Sequence, residues 1–384
     1  MLPSGRYGPA LMAIKGAATL EVEQTYARAR ALCVQVGETP QLFPTLWGLC
    51  RFYRNRGAFS TARELGEQLN RLAQREADPT HRLAAHEALG TTLFYLGDYV
   101  AARTHMEQGG ALTDLTVERT LALRHGEAPG VRCLAVAANT LWCLGSPAQA
   151  VRRGQEALAQ AQGLAHPFSL ALAQHWAAFL YYRCRDAQTV QAQAETLLTL
   201  ATAQGFPLMV ANGTYWRGGA LAMQGQGEAG LAQLHQGLTA MAATGHELFR
   251  PLCLVLLAEA VGHVAQIEDG LRLLTEALTA LEAIGQGDLL AETYRFRGEL
   301  LLRQTVPDMT QAGACFQQAL AIARRQQAKS WELRATMSLC RLWQQQGKRA
   351  AARELLAPIY GWFTEGFDTT DLQETKALLE ELKG

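Results

Sequence analysis

The chain has 384 residues, 49% of them hydrophobic, and its 35 basic residues balance 35 acidic ones to a formal net charge of zero. No block of like charge stands out, so nothing indicates the cationic surface that phosphate-backbone binding requires, and we expect no nucleic-acid partner. The most apolar run, residues 251–261, is interrupted by Glu259 and falls far short of the roughly 20 residues needed to cross a bilayer. We expect no membrane partner and, without an apolar leader after Met1, a cytoplasmic location.

The chain begins with residues 1–36, which contain a short helix followed by a longer one. Val22, Tyr26 and Ala29 have the apolar spacing of the second helix of a pair. We interpret residues 1–36 as a truncated first helix pair. A solenoid end normally carries a polar capping element, and its absence here leads us to expect that a further segment once preceded residue 1.

A repeated spacing of small residues begins at Cys50. In each unit a small residue of a first helix, helix A, is followed seven residues later by a turn residue, usually glycine. Five residues further a small residue lies in a second helix, helix B, and another helix B contact follows after seven more. Small side chains at these places let the two helices approach closely. Six units share the spacing: 50, 57, 62, 69; 90, 97, 102, 109; 138, 145, 150, 157; 218, 225, 230, 237; 258, 265, 270, 277; and 340, 347, 352, 359.

Two further units keep this spacing imperfectly. One contains Gly298 and Ala312 with a longer turn around Pro307, and the other spans residues 177–196 without a turn glycine. Helix A contact sites recur about 40 residues apart, longer than the 34 residues of a tetratricopeptide repeat and near the lower end of the HEAT range. The turn glycine between the helices favours tetratricopeptide-like units, since HEAT repeats lack it.

The fold prediction follows from the continuity of this pattern. Alternating runs of Val, Ile and Thr that would indicate strands do not occur. The sequence therefore predicts an all-α, tetratricopeptide-like solenoid over residues 1–384, a right-handed superhelix of about nine helix pairs in one domain. In such an array we expect contacts only between neighbouring pairs.

Two segments depart from the period. Residues 114–131 hold about eight more residues than the spacing needs, and we interpret them as a lengthened helix B plus a loop. The alternative is an insertion at a binding face, where per-repeat insertions often map. At the other end, residues 370–384 predict a capping helix with one apolar stripe, and Gln373 and Glu374 are placed for a capping box.

Motifs that could carry chemistry are few. Residues 225–230 match the GxGxxG spacing of a dinucleotide-binding loop, but a helix precedes them instead of a strand. The nine histidines are scattered without ligand spacing, and no CxxC pair occurs among the eight cysteines. Cys50 and Cys340 share one helix A position, which indicates small buried side chains in a reducing compartment. We expect no catalytic residue, no metal and no cofactor, and thus no enzyme.

The face that helix A presents to the groove is more informative. In tetratricopeptide arrays, positions three before, one after and four to five after the contact site line the concave surface. Aromatic and arginine residues are prominent there, as in protein-recognition surfaces. The alternative for some of them is packing between neighbouring helices. We predict a continuous partner-binding stripe at Trp47, Arg51, Arg54, Asn139, Trp142, Tyr181, Tyr215, Arg295, Glu299 and Arg341.

Several segments carry a resemblance to a known family. They are residues 37–44, 166–170, 205–207, 297–302 and 314–382, with ELLAPIYGWFTEGFDTTDLQETKALLEEL at 354–382 as the most specific stretch. Together they resemble the carboxy-terminal repeat region of bacterial multidomain signalling ATPases. Those proteins typically carry a class III adenylate/guanylate cyclase domain and an AAA-type ATPase before the repeats. The resemblance implies signal transduction with a cyclase or ATPase module as a partner, and no catalytic residue carries over.

Two functions remain open on the sequence. The first is a non-enzymatic interaction or scaffold module that binds a protein or peptide in the concave groove and regulates a nucleotide-handling partner. The second is a small-molecule-sensing, autoinhibitory solenoid. An open polar groove would favour the first, whereas a closed apolar pocket with a few convergent polar groups would favour the second. The sequence leaves the ligand and the oligomeric state open.

Overall fold

The structure is a computed structural model that describes residues 41–383 except residue 77, together with residues 21, 23–25, 27, 28 and 31. Most of the predicted truncated pair at 1–36 therefore lies outside the described residues. From residue 41 onward the helices are α1 Leu42–Asn55, α2 Phe59–Glu76, α3 Pro79–Leu96, α4 Tyr99–Ala111, α5 Leu115–His125, α6 Pro129–Cys143, α7 Pro147–Leu164, α8 Pro167–Arg183, α9 Ala187–Gln204, α10 Pro207–Met223, α11 Gly227–Ala242, α12 Arg250–His263, α13 Ile267–Ile284, α14 Leu290–Leu302, α15 Met309–Arg325, α16 Lys329–Gln345, α17 Arg349–Trp362 and α18 Thr370–Glu381.

These helices form a solenoid of pairs, which confirms the predicted fold class. Within residues 41–383 eight helix A and helix B pairs follow one another, from α1 and α2 to α16 and α17, while α5 and α18 stand outside the pairing. Each helix A also contacts the helix A of the next pair. The A helices therefore form the inner layer of the solenoid, and the B helices form the outer layer.

The turn between helix A and helix B has the same backbone conformation in most units. Gly57, Gly97, Gly145, Gly225 and Gly347 all have φ between 75° and 90°, a region that glycine enters without steric cost. The same turn position is filled by Arg185 at φ 61° and by Ala265 at φ 60°. The unit at 177–196 thus keeps the turn although it lacks the glycine that would have marked it.

Successive turns of the solenoid touch each other, which contradicts the expectation of contacts between neighbouring pairs only. Tyr99 donates a hydrogen bond to the carbonyl oxygen of Asp288, 189 residues later. Ser330 donates to the carbonyl oxygen of Trp142, 188 residues earlier. One superhelical turn therefore takes about 190 residues. Its pitch is short enough that the first units contact the units one superhelical turn later. Closely packed residues in repeat proteins need not be near neighbours in sequence when the superhelix closes in this way.

The insertion at 114–131 is not a lengthened helix B. Helix α4 ends at Ala111, and the extra residues form the separate helix α5, whose N-cap Asp114 accepts hydrogen bonds from the N–H groups of Thr116 and Val117. The side chain of Asp114 supplies the start signal for a new helix, which explains why the period breaks here. Glu127 lies in the segment after α5, and its carboxylate is buried in the interior.

The C-terminal helix covers the last pair, as the apolar stripe predicts. Leu372, Leu378 and Leu382 of this segment are buried against residues of α16 and α17. The predicted capping box does not form, because the N-cap is Thr369 and its side chain bonds back to Gly366 instead of to α18. The carboxylate of Glu374 is thereby left to bind elsewhere.

Helices α10 and α11 approach so closely that a methyl group at their contact is expected to destabilise the fold. A Cβ atom on Gly218 would lie 2.9 Å from the carbonyl oxygen of Gly230 and 2.9 Å from the backbone nitrogen of Leu234. Because backbone atoms cannot rotate away, Gly218→Ala should reduce the free energy of unfolding by about 1–3 kcal/mol. Gly163→Ala is the matched control, since nothing lies within 4 Å of its added methyl. Urea unfolding of both variants measures the difference, and equal losses would contradict the predicted contact.

Candidate functional site

The inner layer of the first superhelical turn is filled, not open. Arg51 pairs with Glu127 at 2.8 Å and Arg54 with Glu87 at 3.4 Å. The indole N–H of Trp47 donates to Glu87 at 3.1 Å. All five side chains are buried. The first three predicted binding residues, Trp47, Arg51 and Arg54, therefore belong to an interior network of charges.

Three further predicted residues are also buried. Asn139 accepts a hydrogen bond from Arg183 at 2.9 Å, and Trp142 packs edge-on against Trp331 with ring centroids 4.6 Å apart. Tyr215 is fully buried on α10. Its backbone lies close to α11, since a Cβ on Gly237 would meet the backbone nitrogen of Tyr215 at 2.9 Å.

Tyr181 lies elsewhere again. Its side chain is half-buried and lies near that of Gln155 on α7. It therefore faces the preceding helix B. The expected continuous, accessible stripe does not form at these positions, because Trp47, Asn139 and Trp142 contact residues of other A helices. A role in partner binding for Trp47, Arg51, Arg54, Asn139, Trp142, Tyr181 and Tyr215 stays a prediction that would require the solenoid to open.

An accessible cleft remains where the inner face of the later units meets the end of α8. Its volume is about 410 Å³, and it lies between α8, α12, α14, α16 and α18. Of the predicted binding residues it contains Arg295, Glu299 and Arg341. We call it the charged cleft, after its lining residues Arg185, Glu259, Glu292, Arg295, Glu299, Arg303, Arg334, Arg341, Asp371 and Glu374.

Most charges on the cleft wall are paired with each other. Arg295 donates two hydrogen bonds to Glu292, each 2.8 Å long, and Arg334 lies 3.4 Å from the same carboxylate. Burial acts to raise the pKa of Glu292, but the two arginines outweigh it and leave this pKa below its ordinary value. Glu292 therefore stays ionised and fixes both guanidinium groups in the wall.

The floor of the cleft holds a carboxyl group of a different kind. Tyr182 donates a hydrogen bond to Glu259 at 2.8 Å. Burial raises the pKa of Glu259 above its usual range, and the nearby carboxylate of Glu292 acts in the same direction. The charged residues that line the cleft are five arginines and five carboxylic acids, Glu259 among them.

At the mouth of the cleft are two guanidinium groups, each of which forms hydrogen bonds through only some of its N–H groups. Arg185 contacts Glu374 at 2.7 Å and Asp371 at 3.5 Å through the same nitrogen, Nη1. Arg341 contacts the other oxygen of Glu374 at 3.0 Å through Nη2. The side chains of Arg185 and Arg341 are 42% and 45% exposed. Both therefore present further N–H donors to solvent.

The predicted stripe omits Arg185, Asp371 and Glu374 of this cleft for a clear reason. Arg185 lies 186 residues from Asp371 and 189 residues from Glu374, and closure of the superhelix is what brings them together. Glu292 could have been found, because it stands three residues before Arg295 on one helix face, with Glu299 four residues after.

Two observations bound the chemistry of the described part of the chain. None of its helices combines the length and apolarity that a membrane span requires. None of its His, Cys, Asp and Glu side chains form a group of three or more that could hold a metal ion.

Comparison with known proteins identifies the fold. No family model matches the chain, and no curated protein matches it either. Among solved structures, a Rap protein complexed with Competence and Sporulation Factor is similar over 99% of this chain and 98% of that chain, with 10% identity and a TM-score of 0.59. The chain has a tetratricopeptide-like solenoid fold.

Two further structures share this fold. The Rap conjugation gene regulator of the plasmid pLS20, in complex with the Phr* peptide, has 12% identity and a TM-score of 0.53 over 99% of this chain and 98% of that chain. The apo form of the quorum sensor NprR from B. thuringiensis has 12% identity and a TM-score of 0.50 over 100% and 98%. At these identities the similarity concerns the tetratricopeptide-like solenoid alone.

Proposed function

We propose that this tetratricopeptide-like solenoid is a non-enzymatic interaction module that binds a peptide or protein segment in the charged cleft. The observation that carries the proposal is the cleft itself, which is accessible and lined by ten charged side chains. Charged groups at that density suit an extended ligand with several polar contacts. Two structures of similar fold are complexes, one with Competence and Sporulation Factor and one with the Phr* peptide, which supports this choice.

A small-molecule sensor is the less favoured alternative. A metabolite site is typically a closed apolar pocket with a few convergent polar groups. The apolar lining of the charged cleft includes Phe296, Leu300 and Met337, which lie among the ion pairs. Such a surface offers anchors for side chains of a peptide more readily than an enclosure for one small ligand.

A regulatory role follows from where the cleft lies. Arg185 belongs to the first superhelical turn, whereas Asp371 and Glu374 belong to the last helix. A ligand in the cleft contacts both, so its binding favours one relative position of the two turns. We propose that the module works in the cytoplasm as the sensing part of a bacterial signalling ATPase or cyclase system, as the resemblance of residues 314–382 implies.

The proposal is tested by selecting a phage-displayed library of random dodecapeptides on the intact chain. Dissociation constants of the enriched peptides are then measured by calorimetry for the wild type and for a Glu299→Ala, Arg341→Ala double variant. Truncating two residues of a binding centre should weaken binding roughly 30-fold or more, equivalent to about 2 kcal/mol.

The matched control is an Arg353→Ala, Glu354→Ala variant, which removes the same two charges from exposed positions of α17. Circular dichroism first checks that both variants are folded. The control should bind like the wild type. Equal affinities for all three proteins, or a library that yields no peptide whose binding depends on the cleft, would contradict the proposed function.

A further inference from the structure

At the mouth of the charged cleft, two arginines bind the carboxylate of Glu374 as they would bind that of a ligand. Glu374 places its Oε1 2.7 Å from Nη1 of Arg185 and its Oε2 3.0 Å from Nη2 of Arg341. The two arginines come from the α8–α9 turn and from α16, and Glu374 comes from α18. A carboxylate between two guanidinium groups is a geometry that proteins use to bind acidic ligands.

The contacts of Glu374 are easily exchanged. Its side chain is 33% exposed and its two partners are 42% and 45% exposed, and ion pairs this accessible contribute little to stability. Asp371, one helical turn earlier, pairs with Arg334 at 2.8 Å where the side chains are only 14% and 10% exposed. Helix α18 can therefore stay docked through Asp371 while Glu374 moves away.

The electrostatics of Glu374 match those of a bound carboxylate. Burial acts to raise the pKa of Glu374, but the hydrogen bond from Arg341 and the charge of Arg185 outweigh it and lower this pKa below its usual range. The site thus selects an ionised carboxyl group. Arg185 donates through Nη1 alone and Arg341 through Nη2 alone in the hydrogen bonds of the described residues, so each keeps N–H groups for a second acceptor.

We propose that Arg185 and Arg341 form a carboxylate-binding site that Glu374 occupies in the free protein, and that a carboxylate of the bound peptide displaces Glu374. This inference rests on the proposed function, because it names the chemistry of the ligand of the charged cleft. Displacement removes the shorter of the two ionic contacts between α18 and the first superhelical turn. Ligand binding and loss of the contact between Glu374 and Arg185 become one event, while Asp371 keeps α18 docked.

The experiment uses three peptide probes on the full chain. The first is acetylated and amidated tetraglutamate, which has side-chain carboxylates only. The second is acetylated tetraglutamine with a free carboxyl terminus, and the third is its amidated form without any carboxylate. Calorimetry at low ionic strength measures their binding to the wild type, to Glu374→Gln, and to Glu380→Gln as the control.

Glu374→Gln removes the internal competitor, so a carboxylate probe should bind it roughly two- to fivefold more tightly than the wild type. Glu380→Gln removes the same charge from the same helix, at a side chain that is 59% exposed and paired with Lys383, and should leave affinity unchanged. An Arg185→Ala, Arg341→Ala variant should lose the carboxylate dependence. Whichever of the first two probes responds identifies the source of the carboxylate as a side chain or a chain terminus.

Equal tightening by Glu374→Gln and Glu380→Gln would show a general charge effect and overturn the inference. Binding of neither carboxylate probe to Glu374→Gln at millimolar concentration would also overturn it. In both cases library-selected peptides that still depend on Glu299 and Arg341 would leave the proposed function standing, so the two failures can be told apart.

Discussion

Replacing Arg183 with methionine is expected to lower the free energy of unfolding by about 3–5 kcal/mol, because removal of one member of a buried ion pair leaves the other charge uncompensated. The Arg183 side chain is fully buried and lies 3.7 Å from Asp288. Its guanidinium group lies 3.8 Å from the ring centroid of Phe179 and 5.2 Å from that of Phe94. Cation–π contacts in a desolvated site add to what the substitution removes.

Arg185→Met is the matched control for this prediction. Arg185 is two residues away and 42% exposed, so its ion pairs should contribute at most about 1 kcal/mol. Urea unfolding of both variants gives the comparison. Adding Asp288→Asn to Arg183→Met removes the uncompensated carboxylate and should recover part of the loss. Similar midpoints for the Arg183 and Arg185 variants would mean that Arg183 does not hold the two turns together.

The expected size of this effect reflects the position of Arg183 between superhelical turns. Phe94 lies on α3 and Asp288 lies just before α14, whereas Arg183 itself ends α8. The pKa of Asp288 is raised to about 6 by burial, although the charge of Arg183 opposes that rise. One guanidinium group therefore joins elements that are far apart in sequence. Its loss is expected to weaken the contact between superhelical turns in addition to the packing within one repeat.

The fold could be predicted because its determinants are local. Gly218 and Gly230 stand at a helix crossing, and Cys50 and Cys340 donate to the carbonyl oxygens of Ala62 and Ala352, in each case 12 residues later. Such spacings are visible in any single unit. They depend on contacts within one helix pair, and the local sequence of that pair largely determines these contacts.

The interior and the cleft could not be predicted in the same way. The pitch of the superhelix decides whether a helix A side chain meets solvent or another turn, and small differences in packing between pairs determine that pitch. Trp142 meets Trp331, 189 residues later in the numbering, and Arg51 meets Glu127, 76 residues later. No spacing within one repeat specifies either contact. Arg295 and Glu299 were found because they share one helix face.

The last prediction concerns a buried glutamate in the insertion between α4 and α6. Glu127, which follows α5, is fully buried between Arg51 at 2.8 Å and Arg132 at 2.6 Å. Burial acts to raise its pKa, but the charges of Arg132 and Arg51 outweigh that effect and lower the pKa to about 2. Glu127→Gln leaves two buried guanidinium groups with less compensation, and should cost about 3–5 kcal/mol at neutral pH.

The pH dependence of this loss distinguishes charge from packing. The pKa of Glu127 falls on folding, from 4.5 to about 2, so its contribution is complete above pH 4.5 and disappears as pH falls towards 2. The difference in unfolding free energy between wild type and Glu127→Gln should therefore shrink across that interval. A difference that stays constant with pH would assign the loss to packing.

Glu118 of the same insertion provides a control of opposite sign. It accepts a hydrogen bond from the N–H of Gly130, and burial raises its pKa to about 7. Because the folded state holds this proton more tightly than the unfolded state, Glu118 destabilises the fold increasingly as pH rises from 4.5 to about 7. Glu118→Gln, which resembles the protonated form, should be neutral in acid and stabilising above pH 7. Urea unfolding of both variants from pH 3 to pH 8 should give opposite trends, since the same insertion holds one carboxylate that must be ionised and one that is better left protonated.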